Sequence, residues 1–278
     1  MPPRSTAAVI AAKVLASLKR DLLFETSYKL QFAFQIVSTF FGLISFFFLS
    51  TLVDSEASRE HLEPYGCDYF TFVLVGIAFL RFFNVGMVSF TTILRQYMTI
   101  GVLEAMMATR TRPAAVLLYS LVWPFCSESI KTLLFLLVGG WLLGADLRFP
   151  DLLALALTLL LVVVVFSSLG LAFASFILLF KRGDPLTWAL SSASQLLGGV
   201  LFPVTVLPGW LERLAFFLPI THALEVLRHV LIGGASIGEM GAPLLTLAGF
   251  AVVLVPAAWL CVSWGLDRAK VVGGLAEY

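Results

Sequence analysis

Six stretches of the chain are almost entirely apolar: 30–53, 69–94, 114–143, 152–180, 186–206 and 243–266. Polar residues gather in the short segments between them. A hydrocarbon layer of ~30 Å is crossed by ~20 residues of helix. Each stretch reaches that length, so the pattern predicts six transmembrane helices. Ahead of the first, Ile10, Val14, Leu15, Leu18 and Leu22 recur at helical spacing, and Lys13, Ser17 and Arg20 form an opposing polar line. Over 1–29 this predicts an amphipathic helix lying in the membrane interface; a helix packed on another subunit would carry the same stripe. It is not a signal peptide, because the apolar run 7–12 is too short and Lys13 interrupts it.

Between the fifth and sixth stretches the pattern changes. Leu207-Pro208-Gly209-Trp210 opens a short amphipathic helix that stops near Pro219, and a second helix over 220–232 ends at Gly233-Gly234. Proline at a helix start and glycine after its end are the expected punctuation. Neither piece is long enough to cross a bilayer, so 207–240 reads as an external hairpin that dips into the outer interface and returns. Its marked residues are Pro203, Pro208, Trp210, Pro219 and Arg228, with Arg228 expected to pair with Glu225 or Glu212. His222, Glu225 and His229 share a face but match no metal-ligand motif, so no metal site is expected. His222 is expected to hydrogen-bond within the hairpin.

Composition sharpens the class. Of 278 residues 60% are apolar and 13% charged, against ~25% charged in a soluble domain. With a mean hydropathy of +0.98 this excludes a soluble fold, and disorder too, because disordered chains are rich in charge. The expectation is one all-α polytopic membrane domain over 1–278, ending in a tail at 267–278. The net charge of +1 points to no nucleic acid, but charge position does orient the chain. With the N-terminus inside, Arg4, Lys13, Lys19, Arg20, Lys29, Arg95, Arg110, Arg112, Lys181, Arg182, Arg268 and Lys270 are cytoplasmic. Only Arg59, Arg148, Arg213 and Arg228 are external, beside the acidic loop 54–68. Both termini are therefore expected in the cytoplasm. Cys67, Cys126 and Cys261 have no paired spacing and read as small buried residues.

Some polar residues lie inside the spans. Arg81 falls in the second, and Glu128 and Lys131 lie one turn apart in the third. Each charge costs at least ~2.5 kcal/mol at the membrane centre, so Glu128 is expected to neutralise Arg81 or Lys131. A helix-to-helix clamp and a substrate path are both open as roles. Ser191, Gln195, Gly198 and Gly199 in the fifth span suit either a polar pathway or close helix packing. Phe34, Phe40, Phe41, Phe46 and Phe47 in the first span suit lipid contact or an apolar substrate, lipid contact being commoner for aromatics in such a span.

Three motifs then carry a resemblance. Gly101-Val102-Leu103-Glu104 is followed by Thr111-Arg112-Pro113, after the second span. Phe180-Lys181-Arg182-Gly183-Asp184-Pro185 closes the fourth. Leu201-Phe202-Pro203, Leu207-Pro208, Leu218-Pro219 and Arg228 run on from the fifth. In this order the chain resembles the permease subunit of ABC-2 type exporters, ATP-binding-cassette transporters with the type V, ABCG-like membrane fold; Val102 replaces the family's threonine. The resemblance implies a homodimer of six-helix permeases working with two cytoplasmic ABC ATPase subunits. It makes the N-terminal helix the elbow and the loop between spans two and three the coupling helix. It also places span five at the central pathway.

No Gly-Lys pair occurs in the chain, so the phosphate-cradling P-loop is absent. No cofactor is expected on this chain; ATP and magnesium would belong to the partner subunit, and the chain itself is not expected to be an enzyme. Residues 95–112 suit the ATPase contact: apolar Leu103 and Met107, with Arg95, Gly101, Glu104, Arg110 and Arg112 around them. An interfacial loop whose arginines only set topology is the alternative. The function expected is export of an amphipathic drug, lipid or lipid-linked saccharide across a bacterial plasma membrane, with lipid as a further partner. An ion-driven secondary carrier or channel without an ATPase is the rival reading, although no inverted repeat supports it.

Overall fold

The computed structural model describes residues 6–53, 60–99, 113–180 and 185–272. Among the described residues ten α-helices follow one another: α1 (Thr6–Ser27), α2 (Lys29–Val53), α3 (Tyr69–Thr99), α4 (Pro113–Ser120) and α5 (Val122–Trp141). They continue as α6 (Leu152–Phe180), α7 (Pro185–Leu197), α8 (Gly209–Phe216), α9 (Pro219–Leu231) and α10 (Gly241–Val272). The remaining elements among the described residues are short helical turns, and none is a strand.

Among the described residues five helical segments have the length and composition of a membrane span: Ala33–Val53, Tyr69–Tyr97, Leu118–Trp141, Leu152–Phe176 and Gly241–Gly265. The fifth stretch expected from sequence, 186–206, differs. Only Pro185–Leu197 is helical, and the chain then runs irregularly to Pro203. Gly199 takes a left-handed φ of 78°, and Pro203 could supply no helical N–H. The sixth candidate span is the pair α8 and α9, bent by 85°. Proline also explains a smaller departure. The stretch 114–143 divides between α4 and α5 because Pro124 cannot donate to Ser120 four residues back, and its ring crowds that carbonyl.

Caps mark the ends that composition alone leaves vague. The Asp68 carboxylate accepts from the Thr71 amide at 3.2 Å where α3 begins, and Asp151 accepts from Leu153 and Ala154 at the start of α6. Such caps satisfy N–H groups that a helix start leaves without partners.

Helix α3 is the axis of the bundle. In its most apolar window 72% of residues are buried, against 17–33% in the other four spans. Phe83, Met87 and Phe90 are fully enclosed, and Phe83 meets Phe166 of α6 edge to face at 4.9 Å. Glycine allows that approach: a Cβ on Gly170 would stand 2.0 Å from the Gly86 carbonyl oxygen. Close contact through small residues is how helices associate where lipid supplies no hydrophobic drive. Helix α10 lies along α6, α5 and α2 flank α3, and α9 packs against α3, α6 and α10. Phe34, Phe41 and Phe48 project outward from α2, while Phe47 turns in to meet Phe70 at 5.2 Å. The outward apolar faces suit hydrocarbon rather than water.

Candidate functional site

The polar residues of the bundle collect in three places. The first is a groove of about 800 Å³ along α3, closed on one side by α7. Asn84, Val88, Thr91 and Arg95 line it from successive turns of α3, joined by Thr92, Gln96 and Thr99. Spacings of three and four residues put them on one helical face. Helix α7 contributes Thr187, Trp188 and Ser191. Hydroxyls elsewhere in the spans are mostly satisfied by their own helix; those of Thr39, Ser45, Ser168 and Ser175 donate to the carbonyl four residues back at 2.7–3.0 Å. The Ser191 Oγ is buried and has no partner. The groove is within the size range of small-molecule sites.

The second place is the cradle of Arg228. This side chain is 3% exposed. Its Nη2 donates to the carbonyls of Gly199, Val200 and Phe72 at 2.7, 3.3 and 3.2 Å. The guanidinium stacks on the Phe72 ring, with Tyr65 beyond it at 5.8 Å. The pairing with Glu225 or Glu212 expected from sequence is not what forms. An arginine in a protein-lined site can be held by carbonyl dipoles and an aromatic face, and here the irregular chain after α7 turns its carbonyls toward it. Gly76 makes room, since a Cβ there would meet the Val200 oxygen at 2.1 Å and Arg228 Nη2 at 3.0 Å. Beside the cradle, burial pushes the Cys67 thiol up to about 11; Asp68 and Asp146 add to the rise and Arg228 opposes it. Burial also raises Tyr65, against the pull of Arg228.

The third is a charge network. Glu128 lies 3.9 Å from both Arg81 and Lys131, beyond hydrogen-bond reach but within ion-pair distance. Arg81 also donates to Thr39 Oγ1 at 3.1 Å and lies 5.2 Å from the centre of the Phe135 ring. Lys131 is 4.0 Å from Glu25, whose carboxylate accepts from Trp123 Nε1 and, at 3.5 Å, from Ser127. Sequence reasoning missed Glu25. One signal was present: two cations and a single carboxylate inside the spans left a positive charge without a counter-ion. Helix α1 is also tied down by Arg20, which donates to Tyr97 at 3.3 Å and to Ser120 at 3.4 Å.

The residues singled out from sequence are therefore distributed. Ser191 lines the groove and Gln195 is exposed, while Gly198 and Gly199 are buried, Gly199 at the Arg228 cradle. Arg95 stands in the groove. Gly101, Leu103, Glu104, Met107, Arg110 and Arg112 lie outside the described residues. In the hairpin Pro203 and Pro219 are buried, while Pro208 and Trp210 are exposed. His222 Nε2 meets the Phe216 carbonyl at 2.8 Å, within the hairpin as expected. His229 Nδ1 meets the Glu225 carbonyl, and no group of three or more acidic, His or Cys residues with metal-binding geometry occurs among the described residues.

A search of curated proteins found no match. The family model of the ABC-2 type transporters matches residues 5–232, from α1 to the end of α9. That stretch contains the groove, the cradle and the charge network. The chain belongs to the ABC-2 type transporters, as the permease component of an ABC transporter.

Proposed function

We propose that the chain is the membrane subunit of an ATP-driven exporter, with cargo moving along the groove between α3 and α7. The groove is the observation that supports this reading. It is an open face on the most enclosed span of the bundle, mostly apolar in surface but carrying hydroxyl, amide and guanidinium groups, and it holds a hydroxyl, that of Ser191, without a protein partner. In this reading an amphipathic drug, lipid or lipid-linked saccharide contacts Ser191 and the threonine-rich face of α3. Gln195 continues the path, and the hairpin α8–α9 acts as an exit lid.

Power comes from elsewhere. The sequence has no P-loop, so two cytoplasmic ATPase subunits drive a dimer of this permease. Residues 95–112 form the ATPase contact through Leu103 and Met107, with Arg95 and Gly101 toward its start and Glu104, Arg110 and Arg112 setting register. Closure of the ATPases moves the two bundles as rigid bodies between inward and outward openings. Both termini face the cytoplasm of a bacterial cell.

The test is a deletion of 99–108. ATP-dependent transport is expected to disappear while membrane insertion and solubilised yield stay normal, and a soluble ATPase that co-purifies with the intact permease is expected to be lost. Unchanged ATP-dependent transport by the deletion variant would overturn the reading in favour of a carrier that needs no ATPase.

A further inference from the structure

From the charge of the groove we infer that its cargo is an acidic amphiphile: a compact anionic head, phosphate or carboxylate, on an apolar tail. The inference rests on the export reading and names the substrate class of that same groove. Among the described residues that line it, Arg95 is the single ionisable group, and none of them is a carboxylate. Arg95 is exposed and forms no ion pair with any described residue. Several other cations do have protein partners. Arg81 and Lys131 are met by Glu128, Arg20 by Asp21, and Arg228 by three carbonyls.

The rest of the lining fits the same ligand. Gln96 and Thr92 flank Arg95 on the same helix and offer donors to an anionic oxygen. Deeper in the groove Val88 is 41% exposed, and Trp188 on the facing helix is 73% exposed. These surfaces offer an apolar wall to a chain. Ser191 Oγ, buried and without a partner, stands on the wall of α7. A cationic amphiphile would meet a like charge with no acid among the described lining residues to offset it, and a neutral one would leave Arg95 without its charge-assisted bond. A guanidinium also presents a planar fork suited to a phosphate or carboxylate.

The experiment uses the full-length permease, purified without ATP in a neutral maltoside detergent, and follows saturable binding of radiolabelled decyl phosphate. Arg95→Gln is expected to weaken binding about tenfold, equal to ~1.4 kcal/mol, and Arg95→Lys to restore most of it. Val88→Glu, which adds a carboxylate to the groove, is expected to abolish binding and gives the same test should Arg95→Gln fail to fold. Inorganic phosphate is expected to compete about 100-fold less well than decyl phosphate, and decyltrimethylammonium not at all. Competition by short-chain phosphatidate or by decanoate supports the inference, and whichever competes better tells a lipid source from a free fatty acid. Equal binding by Arg95→Gln and Val88→Glu, or equal competition by decyltrimethylammonium, overturns it. A role for Arg95 in ATPase contact would leave ATP-free binding unchanged. Failure here with the ATPase still co-purifying removes only the cargo class, and loss of the ATPase with decyl phosphate binding intact removes only the export reading.

Discussion

The guanidinium carbon of Arg228 lies 3.4 Å from the centre of the Phe72 ring, joining a hairpin helix to the first turn of the central span. No ion pair to this arginine forms among the described residues, yet it reaches three backbone carbonyls. Its removal would leave buried carbonyls without donors, each costing about 1–3 kcal/mol. Arg228→Met is therefore expected to destabilise the solubilised protein by about 3 kcal/mol or more. Arg228→Lys, which keeps the charge but loses the fork, should fall between the two. Thermal unfolding followed by gel filtration measures both, and a melting temperature of Arg228→Met equal to wild type would show the cradle to be energetically idle.

Gly76 gives an independent check on the same cradle. Gly76→Ala keeps every charge but puts a methyl 2.1 Å from the Val200 oxygen, so the irregular segment after α7 must shift. The expected loss is about 1–3 kcal/mol, while Gly209→Ala, which meets nothing within 4 Å, is the matched control. Equal melting temperatures for these two variants would contradict the packing described.

The charge network predicts coupling across helices. Glu25→Gln and Lys131→Gln, alone and together, should show an interaction of about 0.5–1 kcal/mol, since contacting groups deviate from additivity on this scale. The cycle of Glu128→Gln with Arg81→Gln should behave likewise. Strict additivity in both cycles would mean that the 3.9–4.0 Å separations carry no energy.

The Cys67 thiol offers a pH readout. Burial first, then Asp68 and Asp146, raise it to about 11, so its reactive thiolate is scarce near neutrality and accumulates as pH rises toward that value. Alkylation of Cys67 by a charged iodoacetamide should therefore climb about tenfold per pH unit from 7 to 10 without levelling. A cysteine placed at exposed Gly238, with ordinary thiol acidity, should level near pH 9. A plateau for Cys67 below pH 9 would contradict the burial.

Much of the fold was legible because a membrane span declares itself by length and apolarity. The stretch 30–53 became Lys29–Val53, and 152–180 became Leu152–Phe180. The hairpin was legible from Pro208, Pro219 and Gly233. The end of α7 was not, because Val200, Leu201 and Phe202 are as apolar as the helix before them. Hydropathy cannot tell a buried helix from a buried irregular strand of chain whose carbonyls are satisfied by an arginine 28 residues away. Glu25 was missed for a related reason. It sits on α1, where a lone acid reads as part of a polar stripe, and only the fold brings it to Lys131. Of the groove only Ser191 and Arg95 were marked, and in separate roles. The facing threonines of α3 were absorbed into the average hydropathy of their span.

That averaging has a consequence. Phe83, Met87, Phe90 and Leu94 of α3 are at most 1% exposed, and each directly precedes or follows a position on the groove: Asn84, Val88, Thr91 and Arg95. A saturation mutagenesis map of this helix would therefore read as two interleaved combs. One set of teeth would reject every polar substitution on grounds of folding. The other would accept many and report on cargo.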